Sequence, residues 1–429
     1  MQRNRQGTRR WRTRGMAAGL AALGSLALAA CGSSSSASSA SSSGKLTGPI
    51  QAGILLPMSG KEAFVGQWFD HGVLAGIYAV NHGGGVLGAK ITSQLEDTAG
   101  DPVDAVTALR TLLLKKPVVV FGPSSLEIEG VIRDFGPDHV VDLMEGGTTQ
   151  LDYMRYPYVY RVFPSDSELL SGEAYYAYTA KHCTQAAEVY DSGPNAQAEV
   201  GPVTRAYEKL GGKIVASETI VAGQSSYLSV VAKMFSGAQP GCVFFHMDPQ
   251  TASTFFANVK QLGHLNIPYI TGDTGASLQM AQAMGLSNAS RWLTGMAAPP
   301  GYAQSNKAFL SAYEAVWHTN QPLPASPAMY DAVIIAALAM DAAHSSNPTV
   351  WRPYITKVSN PPGIKCYSYT SCATLLKEGK KINYEGASGN ENFNQYHNVF
   401  SSFEVVQFTP SGNLKTVYLE PASTLARLY

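Results

Sequence analysis

From residue 50 onward, short apolar runs alternate with stretches in which apolar positions recur every three or four residues. "IQAGILL" (50–56) reads as a buried strand, and residues 66–82 then set Phe69, Val73, Ile77 and Val80 at helical spacing. "KITSQLED" (90–97) reads as a second strand. Asp101 and Pro102 follow, an N-cap with proline at the first helical position, opening a helix through Leu113. "VVVFG" (118–122) is a third strand. The beat continues through "AAEVYD", "GKIVASETI", "CVFFHM" and "PYITG", each followed by a helix-like segment. Such alternation predicts α/β architecture, with parallel sheets covered by helices on both faces. The strands are too many for one compact sheet, so two α/β lobes are expected.

The first 49 residues break this beat. Six arginines (Arg3, Arg5, Arg9, Arg10, Arg12, Arg14) and no acid lead into an apolar stretch, Met16 to Ala30, that ends in "LAAC" (28–31). This is secretory-signal anatomy, assigned to residues 1–30. The seam resembles a bacterial lipobox, which implies that Cys31 becomes the diacylated first residue of the mature chain. Two acyl chains hold firmly where one is marginal. An ordinary cleaved signal with a chance cysteine is the plainer alternative, and the twin Arg9 and Arg10 leave Sec and Tat export both open. Residues 33–43 hold nine Ser and two Ala. Such a tract buries no core, and residues 31–49 read as a tether with a reach of about 20 Å.

Charge changes the picture once. The formal net charge is zero, but without the leader 25 basic residues face 31 acidic ones. A mildly acidic body offers no basic footprint for nucleic acid, and no later stretch has the 18 uninterrupted apolar residues of a membrane span.

Four cysteines remain beyond Cys31, an even number for an oxidising compartment. Cys366 and Cys372 enclose "YSYTS", a loop short enough for a disulfide to close. Cys183 and Cys242 each stand just before a β-rich run; their thiols meet if those strands are parallel neighbours. Free buried thiols are the alternative for each pair. "GGGVLG" (Gly83, Gly85, Gly88) matches a dinucleotide fingerprint in letters only, because it follows a helix and opens a strand. It reads as a helix stop and a tight turn. The sequence contains no G-x-S-x-G, H-E-x-x-H, Walker A or paired C-x-x-C pattern. The nine histidines lack metal-ligand spacing; only His246, at a strand end, stands out, and a structural histidine is its ordinary reading. Nothing here calls for an enzyme, a metal or a cofactor.

Eight motifs occur in a telling order: "GILLPMSG" (53–60), "NHGGGVLGAK" (81–90), "EDTAGDPVDAV" (96–106), "VFGPSS" (120–125), "YPYVYRVFPSD" (156–166), "ITGD" (270–273), "AMYDAVIIAALAMDAA" (328–343) and "INYEGASGN" (382–390). Together they resemble the branched-chain amino-acid receptors of ABC importers, the type I periplasmic binding proteins, over roughly residues 50 to 420. The resemblance implies two Rossmann-like lobes joined by a three-stranded hinge, with solute held in the cleft between them. Lobe one is then 45–163 plus 299–384, and lobe two 164–298 plus 385–429. Cys183 and Cys242 would precede adjacent strands of lobe two, which supports their disulfide, and a final hairpin would pack on the same lobe.

An amino acid needs donors for its carboxylate, an acid for its ammonium and a wall for its side chain. By resemblance the donors come from "GPSSLE" (122–127) and "EGGTTQ" (145–150), making Ser124, Ser125, Gly147, Thr148 and Thr149 candidates. Each is equally a turn residue. Asp273 in "TGD" matches the acid, and Asp248 stands where the family often has a ligand contact. Phe64 and Val65 would line the wall and Tyr302 would cap it. Direct alignment puts Leu126 where relatives keep a hydroxyl, whereas a one-residue shift restores Ser125. The usual aromatic near Asn195 is also missing, which leaves the solute open among amino acids, amides and organic acids. The expectation is therefore a monomeric, lipid-anchored, extracytoplasmic receptor that delivers a small solute to an ABC permease. A sensory module acting through a partner is the second class, and an extracellular enzyme the third.

Overall fold

The structure is a computed structural model that describes residue 46 and residues 48–60, 62–153, 155–298 and 301–428, without the side chains of Pro194 and Asn195. The expected signal segment, Cys31, nearly all of the tether and the boundary residue 299 lie outside the described residues.

Lobe one is built on a five-stranded, wholly parallel sheet. Its strands β1 (Ile50–Leu56), β2 (Ile91–Asp97), β3 (Val119–Phe121), β4 (Val141–Met144) and β5 (Val159–Arg161) lie in the order β2-β1-β3-β4-β5. Lobe two carries β6 (Gln185–Asp191), β7 (Lys213–Ile220), β8 (Cys242–His246), β9 (Tyr269–Ile270) and β10 (Leu293–Ala297) in parallel. The short pair β11 (Ile364–Cys366) and β12 (Ile382–Tyr384) belongs to lobe one. The final hairpin, β13 (Phe403–Phe408) and β14 (Leu414–Glu420), runs antiparallel on β10 and completes the seven-stranded order β14-β13-β10-β9-β8-β6-β7. Both sheets reverse strand order, between β1 and β3 and between β6 and β8. At such points the loops beyond the strand ends splay apart and leave a crevice.

Local signals behave as their chemistry dictates. Asp101 Oδ1 accepts from the N–H groups of Val103 (2.7 Å) and Asp104 (3.2 Å), and the helix Pro102–Leu113 begins there. The helix Ala63–His82 stops at Gly83, where Gly85 and Gly88 take positive φ in a turn leading to β2. The helix Ser326–Ala343 has a mean hydropathy of 1.3, enough for a membrane, yet 78% of it is buried inside the protein. It is the core helix of lobe one. Gly76 permits its close packing on Ala63–His82, since a Cβ there would sit 2.7 Å from that of Val333.

Cys183 is bonded to Cys242 and Cys366 to Cys372. The first bridge sits where β6 and β8 start side by side, Ala186 opposite Cys242.

The chain passes between the lobes three times: after β5, after β10 and before β13. Ala387, Phe393 and Val399 bury their side chains in lobe one's core. The last segment therefore stays with lobe one to about residue 399 instead of leaving it at 385. The cause is Asp331 on the core helix, whose carboxylate accepts from Tyr384 Oη (2.5 Å), Ala387 N (2.9 Å) and Ser388 N (2.7 Å).

Candidate functional site

The strand ends converge where the lobes meet. After β3 the chain turns through Gly122–Ser125, and after β4 through Glu145–Thr149. These two turns touch: Thr148 N–H donates to Ser125 Oγ at 3.3 Å, and a Cβ on Gly146 would stand 2.6 Å from that same oxygen. Ser125 and Thr148 are half-buried, and the adjoining Thr149 opens a short 3-10 turn. Beside Gly147, the helix Asp166–Thr179 of lobe two begins. Asp166 N–H donates to Gly147 O at 2.8 Å, and a side chain on Gly147 would overlap the Asp166 carboxylate. Gly147 is glycine for close approach.

Under these turns lies a buried ion pair. Arg161 Nη2 stands 2.9 Å from Asp152 Oδ1, with both side chains at most 2% exposed. Its Nη1 donates to Thr148 O at 2.8 Å, and Ser165 Oγ donates to Asp152 at 2.6 Å. The backbone of Arg161 also pairs with the last crossing, accepting from Val399 N and donating to His397 O. One residue thus joins the last crossing through its backbone and a site turn through its guanidinium.

Other candidates are spent locally. Ser124 Oγ donates to Glu127, which also accepts from Thr98 Oγ1 at 2.7 Å, so this hydroxyl links the loops after β2 and β3. Asp248 Oδ1 caps the helix Pro249–Gln261 by accepting from Gln250 and Thr251 N–H (2.8 and 3.0 Å). Burial alone would raise its pKa, but these donors hold it below the ordinary value. Phe64 is 49% exposed and meets Trp68 edge-on. Val65 packs against lobe one's core. Tyr302 faces Tyr367 and sits under Lys365 at the second crossing.

Asp273 begins a 3-10 turn after β9. Its side chain is exposed at the surface, with protein packed densely around the turn. That enclosure, and then Glu199, raise its pKa above the carboxylate norm, against backbone donors and His246. Its neighbours went unread in the sequence. Glu145, 7% exposed, is pushed to about 8 by burial, then by Asp166 and Asp273, with Arg161 opposing. Asp166 is pushed to about 7 by burial, Glu199, Asp273 and Asp152, again against Arg161. His246 is clamped between Glu173 Oε2 (3.0 Å) and Glu199 Oε2 (2.5 Å). Burial opposes its charge, but the two carboxylates win and raise its pKa well above the ordinary value. In sequence these acids sit in separate polar stretches and look solvated; only the fold assembles them.

The arrangement offers the Ser125 hydroxyl and backbone groups of the Thr148 turn on lobe one, with the Asp166 carboxylate of lobe two against Gly147. A cavity of about 370 Å³ opens beside it, lined by Thr149 and Asp152 of lobe one and Ser167, Ser171, Gln197 and Arg205 of lobe two.

Comparison with known proteins agrees with this architecture. The chain resembles, at 19% identity and a TM-score of 0.66, the branched-chain amino acid transporter substrate-binding protein of Streptococcus pneumoniae solved with isoleucine, over 87% of this chain and 99% of that one. A leucine-binding protein of Thermotoga maritima aligns at 17% identity and a TM-score of 0.68, over 87% and 99%. A solute-binding protein of an ABC transporter from Rhodopseudomonas palustris, solved with 3,4-dihydroxybenzoic acid, aligns at 17% and 0.64, over 87% and 98%. No curated protein sequence matches the chain. The family model described as periplasmic binding protein matches residues 49–360, most of the chain, and this protein therefore belongs to the periplasmic binding proteins, a family of solute receptors and not of enzymes.

Proposed function

We propose that this chain is the receptor component of an ABC importer, held at the outer face of the cell membrane by a lipid on Cys31, and that it captures one small polar solute between its lobes. The observation that carries this reading is the meeting, at the lobe crossing, of the Ser125 and Thr148 turns with Asp166 of the other lobe. A solute touching both walls completes its contacts only when the lobes close, so binding shifts the population toward the closed state. A micromolar solute supplies about 8 kcal/mol, ample against a hinge equilibrium of a few kcal/mol. The relatives solved with isoleucine and with 3,4-dihydroxybenzoic acid support a solute of that size. Asp273 would take a positive group, and the hydroxyl turns a negative or neutral one.

The test is a thermal-shift screen of the purified chain against amino acids, amides, amines and small organic acids. A true solute at a hundredfold excess over its Kd stabilises by about 2.7 kcal/mol. Silence from the whole panel would count against a receptor for small solutes.

A further inference from the structure

We infer that lobe one carries a second binding site, at the end away from the cleft, for an anionic phospholipid of the bilayer to which the tether leads. The inference is independent of the solute in the cleft. An open cavity of about 750 Å³ lies among residues 84–88, the end of the core helix at 341–344, and the segments 354–362 and 373–382. These segments precede β2, β11 and β12, so the cavity sits at strand starts, whereas the cleft turns follow strand ends. Its walls are apolar, made by Leu87, Ala342, Val358, Pro361, Leu376 and Ile382. Its rim is basic: Lys357, Lys377, Lys380 and Lys381 are exposed there, Lys357 over the Tyr354 ring at 4.0 Å. The ion pairs among the described residues engage Arg161, Lys233, His246 and Lys365, and none of these four lysines. The lining acid, Asp341, is spent, since its carboxylate accepts from Leu87 N–H and Tyr369 Oη, both at 2.8 Å. Between Asp341 and Glu385 the sequence has a single acid, Glu378, against Arg352 and five lysines, in a body that otherwise favours acids.

Two features fix the occupant. Apolar walls under a ring of cations suit an amphiphile with a hydrocarbon chain and an anionic head. A free phosphate would leave the walls to water, and a neutral lipid would make no use of the lysines. The chain's own path says where the amphiphile comes from. Leu46 packs against lobe one's core, and Ile50 N–H donates to Lys90 O at 2.9 Å, two residues beyond the lining Gly88. The tether therefore joins the body beside the cavity. With a lipid on Cys31, its reach of about 20 Å holds this end of lobe one near the bilayer. Each lysine close to an anionic surface favours binding by about fivefold, and an acyl chain in the cavity adds preference for a lipid over charge alone. Docked in this way, the receptor waits with its cleft turned from the bilayer and open to solute.

The experiment uses the body Ser43–Tyr429, one compact unit that keeps both lobes and lacks leader and lipid alike. Cosedimentation is measured with vesicles of phosphatidylcholine alone and of phosphatidylcholine and phosphatidylglycerol in equal parts. The mixed vesicles bind the body and the neutral ones do not. Joint replacement Lys377→Gln, Lys380→Gln and Lys381→Gln, all at exposed positions, lowers partitioning about a hundredfold and leaves the melting temperature unchanged. Calorimetry with soluble dihexanoyl-phosphatidylglycerol separates the cavity from the charge. That lipid binds, and glycerophosphoglycerol, the same head without chains, binds weaker by about tenfold or more. Equal binding to both vesicle types, or a variant that partitions like the parent, overturns the inference. Equal binding of the lipid and its chainless head overturns it too, by showing that charge alone acts. So does laurate binding at these lysines while the phospholipid stays silent, which would make the cavity a site for free fatty acids.

Discussion

His246 Nδ1 lies 2.5 Å from Glu199 Oε2, bonding the end of β8 to the helix Pro194–Lys209. The other ring nitrogen reaches Glu173, 3.0 Å away and wholly buried, so both nitrogens donate and the ring is an imidazolium. A histidine whose folded pKa is raised contributes stability fully present below about pH 6.5, the unfolded value, and lost as pH climbs through the higher folded value. We expect His246→Gln to cost about 3 kcal/mol at pH 6, because it strands a buried carboxylate. Urea denaturation at pH 6 and pH 10 checks this: the gap between variant and wild type should narrow at the higher pH, and an equal gap would mean an uncharged clamp.

Arg161 is harder to replace than its charge implies. Its fork bonds Asp152 and Thr148 O at once, at 1% exposure. An ammonium has no planar fork, so we expect Arg161→Lys to lose about 2 kcal/mol and Arg161→Ala about 3–5 kcal/mol, the cost of stranding Asp152. Because the guanidinium also holds the carbonyl of Thr148 on the site turn, solute affinity should fall with stability. A variant that loses stability while holding its affinity would uncouple the ion pair from the cleft.

How much of this was readable beforehand follows the range of each interaction. The helix start at Asp101–Pro102 and the turn at Gly83–Gly88 depend on neighbours in the chain, and both were legible. The Cys183–Cys242 bridge needed only the strand order of a familiar topology. Ser124 and Glu127 stand three apart, a Ser-x-x-Glu spacing that advertises a local pair, and the hydroxyl is bonded there. Glu145, Asp166 and Glu199 carried no such mark. Their meaning lies in mutual proximity across the lobes, and a carboxylate in a polar loop is ordinarily solvated.

The two disulfides should differ in worth. Cys183–Cys242 closes 59 residues of sequence and Cys366–Cys372 only six. Chain entropy assigns about 4 kcal/mol to the first and about 2 kcal/mol to the second. Paired alanine replacements, compared by chemical denaturation, should rank in that order; the reverse ranking would show that native packing around each bridge outweighs loop closure.

Cys31 gives the simplest cellular test. Cys31→Ser removes the acylated thiol that the seam at "LAAC" implies, leaving no lipid to hold the chain. The variant should move from the membrane fraction to the soluble extracytoplasmic fraction. Retention in the membrane fraction would refute lipid attachment at this residue.

Carboxylate crowding in the cleft should be visible without any solute. Glu145 ionises at about 8 in the folded chain against 4.5 in the unfolded one, so the folded state holds the extra proton between those values. The unfolded state then binds fewer protons, and stability falls as pH rises through that window. The groups facing Glu145 act with it: Asp166 and Asp273 add repulsion, Arg161 relieves some, and Glu199, Asp152 and His246 act on those neighbours in turn. Replacing Glu145 by Gln removes one charge and keeps the shape. Its stabilising effect should be near zero at pH 5 and grow toward pH 9, to no more than about 4 kcal/mol. Melting curves of both proteins across that range decide it: a pH-independent difference would mean that Glu145 titrates like an ordinary surface carboxylate and that the cleft is not electrostatically strained.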